Sequence, residues 1–233
     1  FLSFLFLIGF FKHEKKVVNP VFDVHSFLSS RIFSMSCLSS MLMYTATFST
    51  LVSLSLYFQF IKEISARDAG LFLMVQPLTM AIFSPYAGRL SDRLEPRVLA
   101  TSGIMLTAIG LFVLSRLGFN SSICTPIAAL FVIGFGFSLF SSPNANAIMG
   151  SVGGDDYGRA AGAMSVMRVL GQMGSMALMT FVVNIFLGDQ QITPLLYPQL
   201  LKVLQLVFSL GCVLCLVGSF LSYSRGQMHT EAA

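Results

Sequence analysis

Six apolar stretches, each near or above the ~20 residues that carry an α-helix across a ~30 Å hydrocarbon core, divide this chain and rule out folding in water. They run approximately from Phe33 to Phe60, Gly70 to Tyr86, Arg97 to Leu117, Cys124 to Met149, Gly162 to Leu187 and Leu200 to Tyr223. Around them the composition agrees: 55% of the 233 residues are hydrophobic and 10% charged, against about 25% charged in soluble domains. Mean hydropathy is +0.80. A disordered chain, a fibrous repeat and a basic nucleic-acid module are all excluded by the cost of exposing so much apolar surface. The runs lack the strict alternation of a membrane β-barrel, and unpaired backbone in lipid is prohibitive, so each run is expected to be a helix. The expected fold is an all-α membrane protein, a six-helix bundle preceded by a partial helix.

That partial helix covers residues 1–11, about half a span, in a sequence that does not begin with Met. The chain therefore reads as a fragment that starts inside a span. Residues 12–31 follow, where Lys12, Lys15, Lys16 and Arg31 stand beside Val17, Val18, Val21, Phe22, Val24 and Phe27, as in an amphipathic segment lying on a membrane face. The six-helix domain is expected at 32–224 and a tail at 225–233. Basic residues favour every second connection: the segment before the first span, the Arg89–Arg97 loop, the turn with Arg159 and the tail with Arg225. Positive loops stay in the cytoplasm, so both ends of the six-span unit are expected there, in a multi-pass protein of the plasma (inner) membrane. The net charge of +4 reports orientation, and no nucleic-acid partner is expected.

All ten acidic residues lie in connections, tails or at span edges. An intramembrane carboxylate is the usual proton relay, so a proton-coupled version of this protein must keep its titrating group outside this sequence. His13, His25 and His229 sit in the flanks, and Cys212 and Cys215 form a CxxC within the last apolar run without further ligands. No metal, cofactor or disulfide framework is expected. No nucleophile–base pairing or phosphate loop appears, which argues against an enzyme.

Polar side chains inside spans are costly unless they meet partners, a cavity or water. Gln59, Gln76, Asn144, Asn146, Gln172 and Asn184 fall in the first, second, fourth and fifth spans; the third has neither Asn nor Gln, and the sixth has Gln205 near its outer end. Two helices facing lipid and four facing protein or cavity is the simplest explanation. Arg168 stands about two turns inside the fifth span, either snorkelling to the interface or pairing with an anion or a neighbouring helix. Pro143, in Ser141-Ser142-Pro143-Asn144-Ala145-Asn146, is expected to kink the fourth helix and free a carbonyl beside two amides. Gly158, Gly162, Gly171 and Gly174 give the fifth span a small-residue face for close helix approach.

The connection Gly88-Arg89-Leu90-Ser91-Asp92-Arg93-Leu94-Glu95-Pro96-Arg97 resembles the G-x-x-x-D-R-x-G-R-R loop of major facilitator superfamily transporters, in the copy found in the carboxyl half. Gly88, Asp92, Arg93 and Arg97 match; Glu95 and Pro96 depart. An aspartate ahead of a helix opening near Pro96 can meet that helix's positive end. The Arg159–Thr180 and Phe140–Met149 runs, with the basic connector before the first span, resemble the fourteen-span drug/proton antiporter branch.

The resemblance implies two six-helix halves, each of two inverted three-helix repeats, rocking about a central site. Gly70–Gln76 and Gly162–Arg168 share a spacing that hints at the repeat. It also implies that the first and fourth helices line the cavity, the second and fifth contact the amino-terminal half, absent here, and the third and sixth face lipid. Cavity candidates are then Tyr44, Tyr57, Gln59, Asn144 and Asn146, with Gln76, Pro143, Arg168 and Gln172 at the domain interface or gate. The implied activity is proton-coupled efflux of amphiphilic small molecules, with the proton-binding acids in the other half. Export of an organic anion or metabolite held near Arg168, and a non-transporting membrane scaffold or remnant, are the alternatives.

Overall fold

The computed structural model describes residues 30–188 and 193–226. The expected half-span, the connector up to residue 29 and the tail from residue 227 lie outside the described residues. Among the described residues every regular element is helical, and six helical segments are long and apolar enough to span a membrane: Arg31–Ile61, Ala66–Ser91, Pro96–Ser115, Cys124–Gly150, Tyr157–Leu187 and Pro194–Ser224.

Local chemistry sets the ends. Ser30 caps the first helix by accepting from the Phe33 N–H at 3.3 Å, and Ser65 caps the second by accepting from the Asp68 N–H at 3.1 Å. Pro96 opens the third at its first position, where a missing N–H costs nothing. The first span closes in a π-turn, Tyr57–Ile61, and Glu63 then takes a positive φ of 55° to reverse the chain. Pro143 lies inside a fourth helix assigned continuously from Cys124 to Gly150. A break falls in the second span, at Met74 between helices Ala66–Leu73 and Val75–Ser91. Pro77, lacking an N–H, cannot bond the Leu73 carbonyl there.

The helices pair symmetrically. The first packs on the fifth and sixth, the fourth packs on the second and third, and the third and sixth pack on each other. Exchanging the first three helices for the last three reproduces the same set, as two inverted repeats require. Side chains repeat it: Ser84 and Ser142 Oγ atoms meet at 3.2 Å between second and fourth spans, while Ser175 Oγ donates to Ser49 Oγ at 3.0 Å between fifth and first. Close approaches repeat it too. A Cβ on Gly136 would lie 2.6 Å from the Gly103 carbonyl, between fourth and third spans, and one on Gly211 would lie 2.7 Å from the Ala46 carbonyl, between sixth and first. Backbones this near need glycine.

The second and fifth spans stay uncovered: 17% and 22% of their most apolar windows are buried, against 44–56% for the other four. Their outer faces present Leu78, Ile82, Met173 and Phe181. The small-residue face of the fifth span is split in use. Gly171 and Ser175 press against the first span, while Gly158 and Gly162 border open space.

Candidate functional site

Between the first, fourth and fifth spans lies a cavity of roughly 250 Å³ whose wall is half polar in character: Ser40 and Tyr44, Ser141 and Asn144, Ser165 and Arg168. Phe140, Met149 and Met164 supply the apolar part. Tyr44 is held by the edge of Phe137, ring centroids 5.3 Å apart at 70°. Its hydroxyl stands close enough to the Arg168 guanidinium to interact with it. Arg168 is exposed toward the open side of the cavity.

Asn144, although it borders this cavity, has spent its amide elsewhere. Its Nδ2 donates to the Ser36 carbonyl at 3.1 Å and to Ser40 Oγ at 2.8 Å, and its Oδ1 accepts from Arg225 Nη1 at 2.8 Å. Arg225 Nη1 also donates to Ser36 Oγ at 3.1 Å. Arg225 is 1% exposed. It was expected only as a tail charge; instead it turns back from the end of the sixth helix and staples the first and fourth. Burial pushes its guanidinium down to about 10, with Glu95 nearby acting against that and Arg97 adding to it. At neutral pH the group is still charged, so its surroundings must pay the cost of holding a buried cation. No periodicity marks such a residue, since an arginine closing an apolar run reads as an interfacial charge.

The remaining expected cavity residues are placed otherwise. Tyr57 is fully buried in the core, and its hydroxyl donates to the Gly118 carbonyl at 2.9 Å. Gln59 donates to Ser55 Oγ at 2.7 Å, at the same end of the first span. That end is closed by a clamp on three consecutive carbonyls: Gln205 holds Leu117 at 2.7 Å, Tyr57 holds Gly118, and Lys62 holds Phe119 at 2.6 Å. Aromatic and amide side chains at a span end reach loop backbone left without helical partners, and so leave the cavity. Asn146 is exposed and donates to Ser91 Oγ at 2.7 Å; Ser91 donates in turn to the Gly88 carbonyl at 2.7 Å. It thus anchors the loop after the second span.

Of the residues expected at the domain interface, Gln76 is buried inside this bundle, 7% exposed, between the second and fourth spans at their closest approach by Gly134. Gln172 is half-buried beside Gly171, Pro143 is buried, and Arg168 lines the cavity. In the Gly88–Arg97 loop, Asp92 is exposed and Glu95, not Asp92, stands at the N-cap of the third helix. Asp92 closes the second helix, and among the described residues no side chain caps the first turn of the third. Arg93 is exposed, while Arg97 lies over the Tyr223 ring at 4.7 Å and ties the loop to the sixth span. No cluster of three potential metal ligands occurs among the described residues, and the cysteines described are free thiols.

A family model described as Major Facilitator Superfamily matches residues 20–230. An uncharacterized transporter, YebQ of Escherichia coli (strain K12), is 32% identical over 182 residues, 78% of this chain and 39% of that protein. The riboflavin transporter RibZ of Clostridioides difficile (strain 630) is 27% identical over 160 residues, 68% of this chain and 34% of its own. The lincomycin resistance protein LmrB of Listeria innocua serovar 6a is 30% identical over 124 residues, 53% of this chain and 26% of its own. The chain thus spans well under half the length of these curated relatives.

Proposed function

Because the chain belongs to the Major Facilitator Superfamily, we propose that it forms one six-helix half of a small-molecule exporter working by alternating access. The cavity between the first, fourth and fifth spans carries this reading: it is polar, open on one side, and flanked by a fifth span that this bundle leaves largely uncovered. A second half docked against the second and fifth spans covers their apolar faces and turns the cavity into a central site. The cargo is an amphiphilic compound of the drug type, in keeping with a lincomycin resistance protein among the relatives. Protons drive the export, with the titrating acid in the other half, since Asp68, the acid described within a span of this one, sits in that span's first turn and is engaged by Ser65. The protein works in the plasma membrane with the Arg-rich loops in the cytoplasm.

The test is efflux from a pump-deficient bacterium expressing the chain with the coding sequence that flanks it in its gene. Lower accumulation of a fluorescent amphiphilic dye, restored to control levels by a protonophore, is the expected result. Accumulation unchanged by expression sinks the transporter reading and leaves a non-transporting scaffold.

One observation favours a second reading of the cargo. The cavity holds a guanidinium, a phenol and serine hydroxyls and no carboxylate among its lining residues, a donor-rich wall suited to an organic anion. Loss of anion export in Arg168→Gln with dye export intact selects it.

A further inference from the structure

A second cavity lies on the outside of the bundle, at the end opposite the Arg225 staple. It is a groove of roughly 570 Å³ formed by the last turn of the third span, the end of the fifth and the first half of the sixth. Its rim carries two exposed cations, Arg116 and Lys202, and none of its lining residues is acidic. The acids described at this end, Glu63 and Asp68, stand away from it, and Asp68 is engaged by Ser65 at 2.8 Å. Below the rim the wall is apolar and exposed at Phe112, Leu206 and Val213.

Depth gives the groove its meaning. At 1.5 Å per residue, Lys202 and Val213 are roughly 16 Å apart along the sixth helix, close to the ~15 Å of one leaflet's hydrocarbon. Arg116 stands one residue past the end of the third span and so near headgroup level, with Lys202 across the groove from it and an apolar floor about one acyl chain long below. Arg116 bends over the Phe112 ring at 5.0 Å, and neither cation has an ion pair among the described residues. Gln205, between them, is committed to the Leu117 carbonyl. Two unneutralised cations facing lipid are costly until a headgroup anion meets them.

We infer that this groove seats an anionic phospholipid, its phosphate between Arg116 and Lys202 and one acyl chain along Phe112, Leu206 and Val213. Protein expressed with its native flanking sequence and purified in detergent is titrated with phosphatidylglycerol and phosphatidylcholine of identical chains, read by native mass spectrometry. One phosphatidylglycerol is expected to bind with roughly thirtyfold preference, the size two basic side chains give near one anionic headgroup. The preference disappears in Arg116→Gln/Lys202→Gln and survives in Arg67→Gln, an exposed cation at the same end. Equal binding of the two lipids, or a preference that survives the double substitution, overturns the inference. Val213→Trp, which fills the floor and leaves the charges alone, should weaken both lipids; unchanged phosphatidylglycerol binding there means an anion is held without its acyl chain, and overturns the seat as drawn.

Discussion

Arg168 lines the cavity, Arg225 is bonded to the Asn144 of its wall, and the two do opposite work. Arg168 reaches in from the fifth span, stays exposed, and meets the Tyr44 hydroxyl. Arg225 comes from the end of the sixth, is buried, and is bound by Ser36 and by an Asn144 that is itself fully engaged. A charge left in a wet, open wall keeps its donors for a passing ligand; a charge taken out of water turns to its own scaffold, as Arg225 does through Nη1, while its Nη2 is buried without a partner among the described residues. Residue type does not separate the two roles. Burial does.

The largest effect should come from Asn144→Ala, which leaves the Arg225 guanidinium buried beside an apolar methyl. Removing one partner of a buried charge costs about 3–5 kcal/mol, so denaturant unfolding in detergent should show a loss of that order or no folded protein. A change below 1 kcal/mol, on the scale of ordinary surface substitutions, would mean that water reaches Arg225 and the contrast with Arg168 is false. Ser36→Ala removes one of the two bonds to Nη1 and keeps the Ser36 backbone carbonyl for Asn144. A hydrogen bond to a charged group suggests a loss of about 1.5–3 kcal/mol in the same measurement.

Replacing the charge together with its partner sharpens the point. Arg225→Met/Asn144→Leu removes the buried charge together with its amide partner and leaves only the neutral Ser36 and Ser40 hydroxyls to find other acceptors, so stability should recover most of what Asn144→Ala alone loses. Arg168→Gln should have the smallest effect on stability, within about 0.5 kcal/mol as for exposed positions. Transport is where that variant should register, by altered export of anionic cargo in whole cells. An Arg168→Gln protein that unfolds early and transports normally reverses the roles assigned to the two arginines.

Much of the architecture was legible from residues alone. The number of spans and their helical character followed from runs of apolar residues, and the Gly88–Arg97 loop carried its family resemblance in local order. Span limits were less legible: the second was read as Gly70 to Tyr86, whereas its helices extend from Ala66 to Ser91. Charges and turn formers mark where apolarity ends, but a helix continues past that point into the polar interface. The cavity was half legible. Tyr44, Asn144 and Arg168 do come together, yet Tyr57 binds a loop carbonyl, Gln59 a serine on its own helix and Asn146 a serine at the end of the second span, and Arg225 and Ser36 were missed. An amide in a span announces that it needs a partner without saying which.

What the sequence determined by itself is the kind of solvent this chain lives in and the way its backbone meets it, because hydrogen bonding in lipid is satisfied locally, turn by turn. Only the tertiary structure decided which polar groups are used up and which remain free. Ser36, Asn144 and Arg225 belong to three separate spans, and their bonding exists only once the inverted repeats bring those spans together.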